Sequence, residues 1–378
     1  MKIKSLYIHI PFCDHICIYC DFYKMISEKE KIKEYFKYLI KEVDLKKQYF
    51  SDLETIYVGG GTPSSIDISI LDNFFHYLSK NINLKNIKEF TFECNPKDIN
   101  DNLINLFLKY NINRISLGAQ SLNNEKLQFL NRNHSDKDII EAINLLHFHN
   151  IYNINCDIIY GLSTDNINLI KSDLEKLYSM NIKHISCYTL IIENKSILNH
   201  YIKKYNYKPL PDDSESEIND FINKFMKQNG YKHYEISNYA IPGYESIHNL
   251  TYWNMDYYVG IGANASYFID NTRYTNINNL SKYYLGIDNC DLSYKEKINL
   301  SEIDLKYDFL MLGLRKLDGI NVFEYNNRFN DNILNYNSVK KYINNKIMKL
   351  NNNHLSINEE YIYVSNEIII NIVGEFYE

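Results

Sequence analysis

Basic charge is not in excess in this chain and no basic run occurs: 41 Lys and Arg face 47 Asp and Glu, for a formal net charge of −6. A nucleic-acid partner, which requires a cationic stripe or patch, is therefore not expected. No apolar stretch approaches the roughly 20 residues that cross a bilayer, so no segment reads as a membrane span. Four cysteines, Cys94, Cys156, Cys187 and Cys290, are scattered singly, which excludes a disulfide framework and fits a reducing compartment. A second C-x-x-C pair is missing downstream of the first, so the commonest framework for a structural zinc is absent. The first β-branched run starts within a few residues of Met1, leaving no room for a signal or transit peptide. The expected location is the cytoplasm, with peripheral contact at the inner face of a membrane compatible with it.

What is present is a dense feature near the N-terminus. Residues 7–22 read YIHIPFCDHICIYCDF and set Cys13, Cys17 and Cys20 in a C-x-x-x-C-x-x-C array. Thiolates at this spacing can reach three corners of one iron–sulfur cube and leave the fourth iron without a protein ligand. Two other readings stand beside this one. His9 or His15 could complete a Cys3His zinc site, or the three cysteines are simply buried, as free Cys often is.

At 378 residues and 45% hydrophobic composition, the chain is long enough for one large domain and a smaller one. Its first half alternates short β-branched runs with amphipathic segments, the pattern of βα units on a parallel sheet. Strands are expected over 6–10, 55–58, 89–93, 113–117, 154–159 and 183–190. Ser27 with Glu30 reads as a capping box ahead of a stripe of Ile32, Phe36, Leu39 and Val43. Ser135 reads as the cap of a helix burying Ile139, Ala142, Ile143 and Leu146. A helix from near Ser214 buries Ile218, Phe221, Ile222, Phe225 and Met226 and stops at Gly230. His134, His147 and His149 read as helix-surface residues. Six such units predict an α/β fold, an incomplete (β/α)6 TIM-like barrel, with a smaller, mainly α, winged-helix-like C-terminal unit. The expected division is 1–235 for the barrel, 236–300 for a connecting segment and 301–378 for the C-terminal unit.

In such barrels the working residues follow the C-terminal ends of the strands. After the first strand comes the cysteine loop, and after the second Gly59, Gly60, Gly61, Thr62 and Pro63. The third ends on Glu93, Asn95 and Pro96, the fourth leads into Gly118, Gln120 and Ser121, and the fifth into Asp157 and Tyr160. Each alone has a structural reading as a turn, a surface carboxylate or a cap. Together they put polar groups on one rim. Glycines admit close backbone approach, Glu93 and Asp157 can accept from an amine or ribose hydroxyls, and Arg132 offers a fork for a carboxylate. An amino acid joined to a nucleoside satisfies all three, and that ligand is S-adenosylmethionine.

The motifs YIHIPFCDHICIYCDF, YVGGGTPS, FECNP, RISLGAQS, FLNRNH, INCDIIYGL, HNLTYW and FLMLGLRKLDGI follow one another along nearly the whole chain. In this order they resemble the radical S-adenosylmethionine superfamily, in the branch shared by oxygen-independent coproporphyrinogen III oxidases and haem chaperones. The resemblance implies that Cys13, Cys17 and Cys20 hold a [4Fe–4S] cluster whose open iron is chelated by the methionine amino and carboxylate groups. It implies that Tyr7, Tyr19, Gly60, Gly61, Thr62, Glu93, Gln120, Arg132 and Asp157 surround S-adenosylmethionine. The oxidases carry a further cysteine two residues after the third, where this chain has Phe22, and an N-terminal extension that this chain, as written, does not show. HNLTYW, residues 248–253, resembles the H-N-x-x-Y-W signature of the haem chaperones, in which the histidine binds haem, and includes the single tryptophan, Trp253. The closing segment departs from the family with Ser356 and Glu360.

The function this resemblance implies is a haem chaperone that binds the cluster, S-adenosylmethionine and one haem through His248. Tyr252, Trp253, Tyr257 and Tyr258 would cover the macrocycle. The expected partners are haem and membrane-associated apo-haem proteins such as respiratory oxidases or cytochromes, and the resemblance leaves room for a homodimer. The alternative is an enzyme, an oxygen-independent coproporphyrinogen III oxidase that decarboxylates two propionates by radical chemistry.

Overall fold

Alternation within each strand is the key to the architecture. In the computed structural model, which describes residues 2–193, 196–205 and 209–377, the expected runs form β1 (Ser5–Ile10), β2 (Thr55–Gly60), β3 (Glu89–Cys94), β4 (Arg114–Gln120), β5 (Ile154–Tyr160) and β6 (His184–Thr189). They pair in sequence order and all in parallel. Helices α1 (Lys29–Lys46), α2 (Ile68–Asn81), α3 (Asp101–Lys109), α4 (Asn124–Phe129), α5 (Asp136–Phe148) and α6 (Ile167–Ser179) connect them; α7 (Ile197–Tyr205) and α8 (Asp212–Gln228) follow.

One set of alternate strand residues is apolar and wholly buried: Leu6, Ile8 and Ile10 on β1, Ile56 and Val58 on β2, Phe90 and Phe92 on β3, Ile115 and Leu117 on β4. These pack with the helix stripes in one large core that includes Phe36, Leu39, Phe74, Phe107, Ile143, Leu174 and Ile222. The other set is polar. The register aligns Ser5 with Thr55, Thr55 with Glu89, Thr91 with Arg114, Ser116 with Asn155, Asn155 with His184 and Asp157 with Ser186. A sheet with helices on its apolar face and polar groups on the other encloses a polar interior when it curls, as a TIM-like barrel does.

Helix α5 carries the expected Ser135 cap, a full capping box with Asp138, over the expected buried stripe. The box expected at Ser27 does not form. Helix α1 starts later, at Lys29, with Glu28 as N-cap and no side-chain cap bond, and Glu30 pairs with Lys33 instead, at 2.8 Å. An exposed i,i+3 ion pair with an opposite charge offers Glu30 a partner outside the box.

Residues 232–299 extend the sheet at both edges, the first edge strand lying before the expected boundary at 236. Strands β7 (Lys232–Glu235) and β8 (Asn238–Ala240) form a hairpin beside β6, while β9 (Tyr258–Ile261) pairs in parallel with β1 on the opposite side. Strands β10 (Ser266–Ile269), β11 (Thr272–Asn276) and β12 (Tyr294–Asn299) continue outward from β9. Helix α9 (Ile247–Trp253) carries HNLTYW, and α10 (Leu280–Asp288) packs against α1.

The C-terminal part runs α11 (Glu302–Gly313), β13 (Ile320–Asn321), α12 (Val322–Phe329), α13 (Asn337–Asn344), β14 (Met348–Asn351), β15 (His354–Ile357) and α14 (Ser365–Gly374). Helix–strand–helix–helix–strand–strand with a small antiparallel sheet ordered β13-β15-β14 is a winged-helix-like arrangement. It has its own core of Leu310, Tyr325, Ile333, Val339, Leu355, Ile357 and Ile369.

Candidate cluster and cofactor site

The cysteine loop leaves the C-terminal end of β1 and folds back on itself: Met25 N–H donates to Pro11 O at 2.7 Å and Cys13 N–H to Met25 O at 3.0 Å. Three further bonds tie it down, Ile18 N–H to Leu130 O (3.5 Å), Leu198 N–H to Ile18 O (2.8 Å) and Asn131 Nδ2 to Ile16 O (2.8 Å). Cys13 is buried and Cys17 and Cys20 are half-buried. Burial pushes the Cys13 thiol up to about 11 and raises Cys20, while the Thr62 hydroxyl and Lys24, respectively, pull the other way. The sulfurs feel one another's charge. Arg132 Nη1 lies 3.2 Å from Cys17 Sγ and Lys24 Nζ 2.6 Å from Cys20 O, so cations flank the loop.

With burial raising Cys13 and Cys20, a metal centre would supply the positive charge that favours their thiolates. Among the described residues no three His, Cys, Asp or Glu side chains converge on a single point. The donor set fits a cluster bound one iron per thiolate: three cysteine sulfurs on one loop, near enough to feel one another's charge, with Arg132 and Lys24 beside them. The zinc alternative through His9 is removed. His9 Nε2–H donates to Tyr23 O (3.1 Å) and its Nδ1 accepts from Tyr7 OH (2.9 Å), leaving no free nitrogen.

The GGGTP turn owes its glycines to its neighbours. A Cβ on Gly59 would lie 2.7 Å from the Glu93 carboxylate, one on Gly60 2.6 Å from the His9 ring, and one on Gly61 2.5 Å from Phe12 O. Gly60 also has φ +117, open to glycine alone at no cost. Glu93 is held between Tyr57 OH (2.7 Å) and Gly60 N–H (3.0 Å). Burial still wins and pushes its carboxyl up to about 7.

Gln120 ends β4 at φ 66, where the pairing with β5 slips between Leu117 and Gln120. The bulge re-aims its side chain over Gly118. Arg132 reaches back to the same point, its Nη2 2.9 Å from Gly118 O and its Nη1 3.5 Å from Tyr19 OH. Its Nε is buried without a partner in the described structure, a donor direction left for a ligand. His134, expected on a helix surface, is buried: its Nε2 donates to Ala119 O at 3.1 Å behind Arg132. Asp157 accepts from Asn155 Nδ2 at 2.8 Å, and burial raises its carboxyl. Two half-buried carboxylates, Glu93 and Asp157, thus share an interior with Arg132, a donor set suited to a ligand with an ammonium or sulfonium centre and a carboxylate.

His248 lies elsewhere. Helix α9 crosses the N-terminal ends of β1–β3 on their polar face. Glu89, the first residue of β3, accepts from Ile247 N–H (2.7 Å) and His248 N–H (3.1 Å), and Ser5 meets Thr251 at 2.7 Å. Thr55 on this floor and Gly60 in the glycine turn are five steps apart along β2, about 17 Å at ordinary strand rise. His248 is fully buried. Thr55 Oγ1 donates to Ser5 Oγ, so toward His248 it accepts from Nδ1–H at 2.8 Å, and Nε2 accepts from Tyr252 OH at 2.8 Å. Burial drives this imidazole down to about 3, so it is neutral. The lone pair an iron would need accepts from Tyr252, and the residue expected to bind haem is, in this structure, part of a buried floor. Tyr252 packs edge-on against Tyr258 at 4.7 Å.

Tyr7, Tyr19, the cysteines, the glycine turn, Glu93, Gln120, Arg132 and Asp157 thus come together at one end of the barrel, held by Tyr57, Asn155 and His184, which the sequence did not single out, and by His9, expected there only as a zinc ligand. A signal existed: Thr55/Tyr57, Glu89/Thr91/Glu93, Arg114/Ser116, Asn155/Asp157 and His184/Ser186 are polar at every second strand position.

A cysteine-loop barrel of this form is matched by the description of the Radical SAM superfamily over residues 7–177. Coproporphyrinogen III oxidase (HemN) from Escherichia coli, a radical SAM enzyme, shares the fold with a TM-score of 0.84 over 98% of this chain and 90% of that one, at 18% identity. The chain therefore carries a radical SAM domain. Within that class, the "Heme chaperone HemW" of Lactococcus lactis is 35% identical over 87% of this chain and 86% of its own length. The protein of the same name from Bacillus subtilis is 32% identical over 84% of each chain. The chain belongs to the HemW family.

Proposed function

We propose that this chain is a haem chaperone that holds a [4Fe–4S] cluster on Cys13, Cys17 and Cys20, binds S-adenosylmethionine across the adjoining rim, and carries one haem to membrane-associated apo-haem proteins. The observation that carries the reading is the juxtaposition of the three-cysteine loop with Arg132, Glu93, Gln120 and Asp157 at one barrel end. The likeness to proteins named heme chaperone adds the haem. When bound, such a cluster supplies one-electron chemistry and an open iron. The chain's own residues bind and orient: Glu93 and Asp157 accept from cationic or hydroxyl donors, Arg132 pairs with a carboxylate, and Tyr7 and Tyr19 line the rim.

His248 is the haem residue carried over from the family resemblance. In this proposal haem reaches it only once α9 has left the floor and Tyr252 has released Nε2. The test is anaerobic reconstitution followed by haem titration, with 5′-deoxyadenosine and protoporphyrinogen measured in the same sample. The proposal expects one haem per chain and no conversion of coproporphyrinogen III. Formation of protoporphyrinogen would instead identify the oxidase.

A further inference from the structure

A second set of groups stands behind Asp157. Two residues earlier on the same face of β5, Asn155 spends both amide hydrogens and sets its oxygen toward His184. Its Nδ2 donates to Asp157 Oδ1 (2.8 Å) and Ser116 Oγ (3.0 Å), and its Oδ1 meets His184 Nδ1 at 2.7 Å; Ser186 Oγ lies 3.0 Å from the same oxygen but turns its single hydrogen to Asn238 Oδ1 at 2.5 Å. With both amide hydrogens spent, Asn155 Oδ1 can only accept from His184, so Nδ1 carries the hydrogen. His184 is wholly buried and neutral, and its Nε2 is therefore an acceptor, filled by Tyr234 OH at 2.7 Å. Tyr234 in turn accepts from Ser246 N–H at 3.3 Å. Every donor points one way, from the cap of α9 through Tyr234, His184 and Asn155 to the Asp157 carboxylate.

We infer that His184, fixed by Tyr234, is a positioning residue for the S-adenosylmethionine site: it locks the Asn155 amide in the one orientation that presents a donor to Asp157. This rests on the reading of Asp157 as a ligand contact. An Asn amide is nearly symmetric in shape, and only its partners decide which end faces the carboxylate. Without the His184 N–H the amide is free to turn its oxygen toward Asp157, where two acceptors repel. The Asp157 carboxylate then moves or takes up a proton, and the ligand loses a charged acceptor. Tyr234 and His184 touch no ligand in this account.

The experiment is a double-mutant cycle on anaerobically reconstituted protein, with S-adenosylmethionine binding read by calorimetry and folding by thermal unfolding. His184→Leu is expected to weaken binding roughly tenfold, the effect of losing a hydrogen bond to a charged group. His184→Asn, which keeps a side-chain N–H at the δ position, restores most of it. In an Asp157→Asn background His184→Leu has no further effect. Equal weakening in both backgrounds, or no rescue by His184→Asn, would reduce His184 to a packing residue and overturn the inference, as would unaltered binding in His184→Leu. If His184→Leu does not fold, Tyr234→Phe, which removes only the hydroxyl, carries the same cycle with a smaller expected loss of about threefold. Failure of the wild type to bind S-adenosylmethionine is a separate result, which removes the proposed function and this inference together.

Discussion

Glu93 joins three features of the site: it accepts from Tyr57 and Gly60, it fills the space beside Gly59, and burial holds its carboxyl near 7 against an ordinary 4.5. A raised carboxyl binds a proton in the fold that it lacks when unfolded, so its contribution to stability falls as pH rises from about 4.5 to about 7. A cationic ligand favours the ionised form. S-adenosylmethionine binding near pH 6 should therefore release a proton, seen as a heat that depends on the ionisation enthalpy of the buffer, and Glu93→Gln should abolish that dependence. A buffer-independent heat in the wild type would show that Glu93 is not near the cation. Gly60 admits a sharper test. Gly60→Ala meets the His9 ring at a positive φ and should lower stability by about 1–3 kcal/mol and weaken the ligand with it, measured by urea unfolding and binding on the same protein.

At the scale of elements, α9 is the piece whose place decides how HNLTYW is read. Its N-terminus is capped by Ser246 and received by Glu89, and its histidine bridges Thr55 and Tyr252 beneath the ring of Tyr57, 5.1 Å away. His248→Ala should therefore cost about 3–5 kcal/mol of stability in the absence of any haem, through an internal cavity, an unpaired Tyr252 hydroxyl and the loss of the bond to Thr55. A purely haem-ligating histidine would leave haem-free stability unchanged, and a urea midpoint equal to wild type would restore that reading. The six strands and the rim residues after them were legible because period-two alternation and chain order are local signals, as were the α5 cap and stripe. The place of α9 was not, since it depends on bonds from Ser246, His248 and Thr251 to Glu89, Thr55 and Ser5, more than 150 residues away. The missed alternation of polar residues was in plain view. Its meaning required knowing that the sheet curls with that face inward. Ser27 shows the converse, a local pattern satisfied in sequence and overruled by an ion pair between Glu30 and Lys33.

Across the whole molecule, the barrel separates two ends: the cysteine loop and its carboxylates at the mouth, the HNLTYW helix at the floor. The C-terminal unit docks on the floor side. Leu317 N–H donates to Tyr234 O at 3.1 Å, Lys316 reaches Asn254, Lys232 pairs with Asp318 at 3.0 Å, and Met255 and Phe268 join the C-terminal core. Among the described residues no helix is long and apolar enough to cross a membrane. The proposed function expects α9 to leave the floor when haem binds, so limited proteolysis of the Leu317 region should be slower without haem than with it. The central claim concerns the other end, that Cys13, Cys17 and Cys20 hold a cluster with an iron left open to S-adenosylmethionine. Electron paramagnetic resonance of the anaerobically reconstituted, reduced protein, recorded with and without S-adenosylmethionine, tests it most directly. The account predicts a reduced [4Fe–4S] signal that changes shape when the ligand is added and is absent from a Cys13→Ala/Cys17→Ala/Cys20→Ala variant. A signal untouched by S-adenosylmethionine, or one that survives loss of the three cysteines, would contradict it.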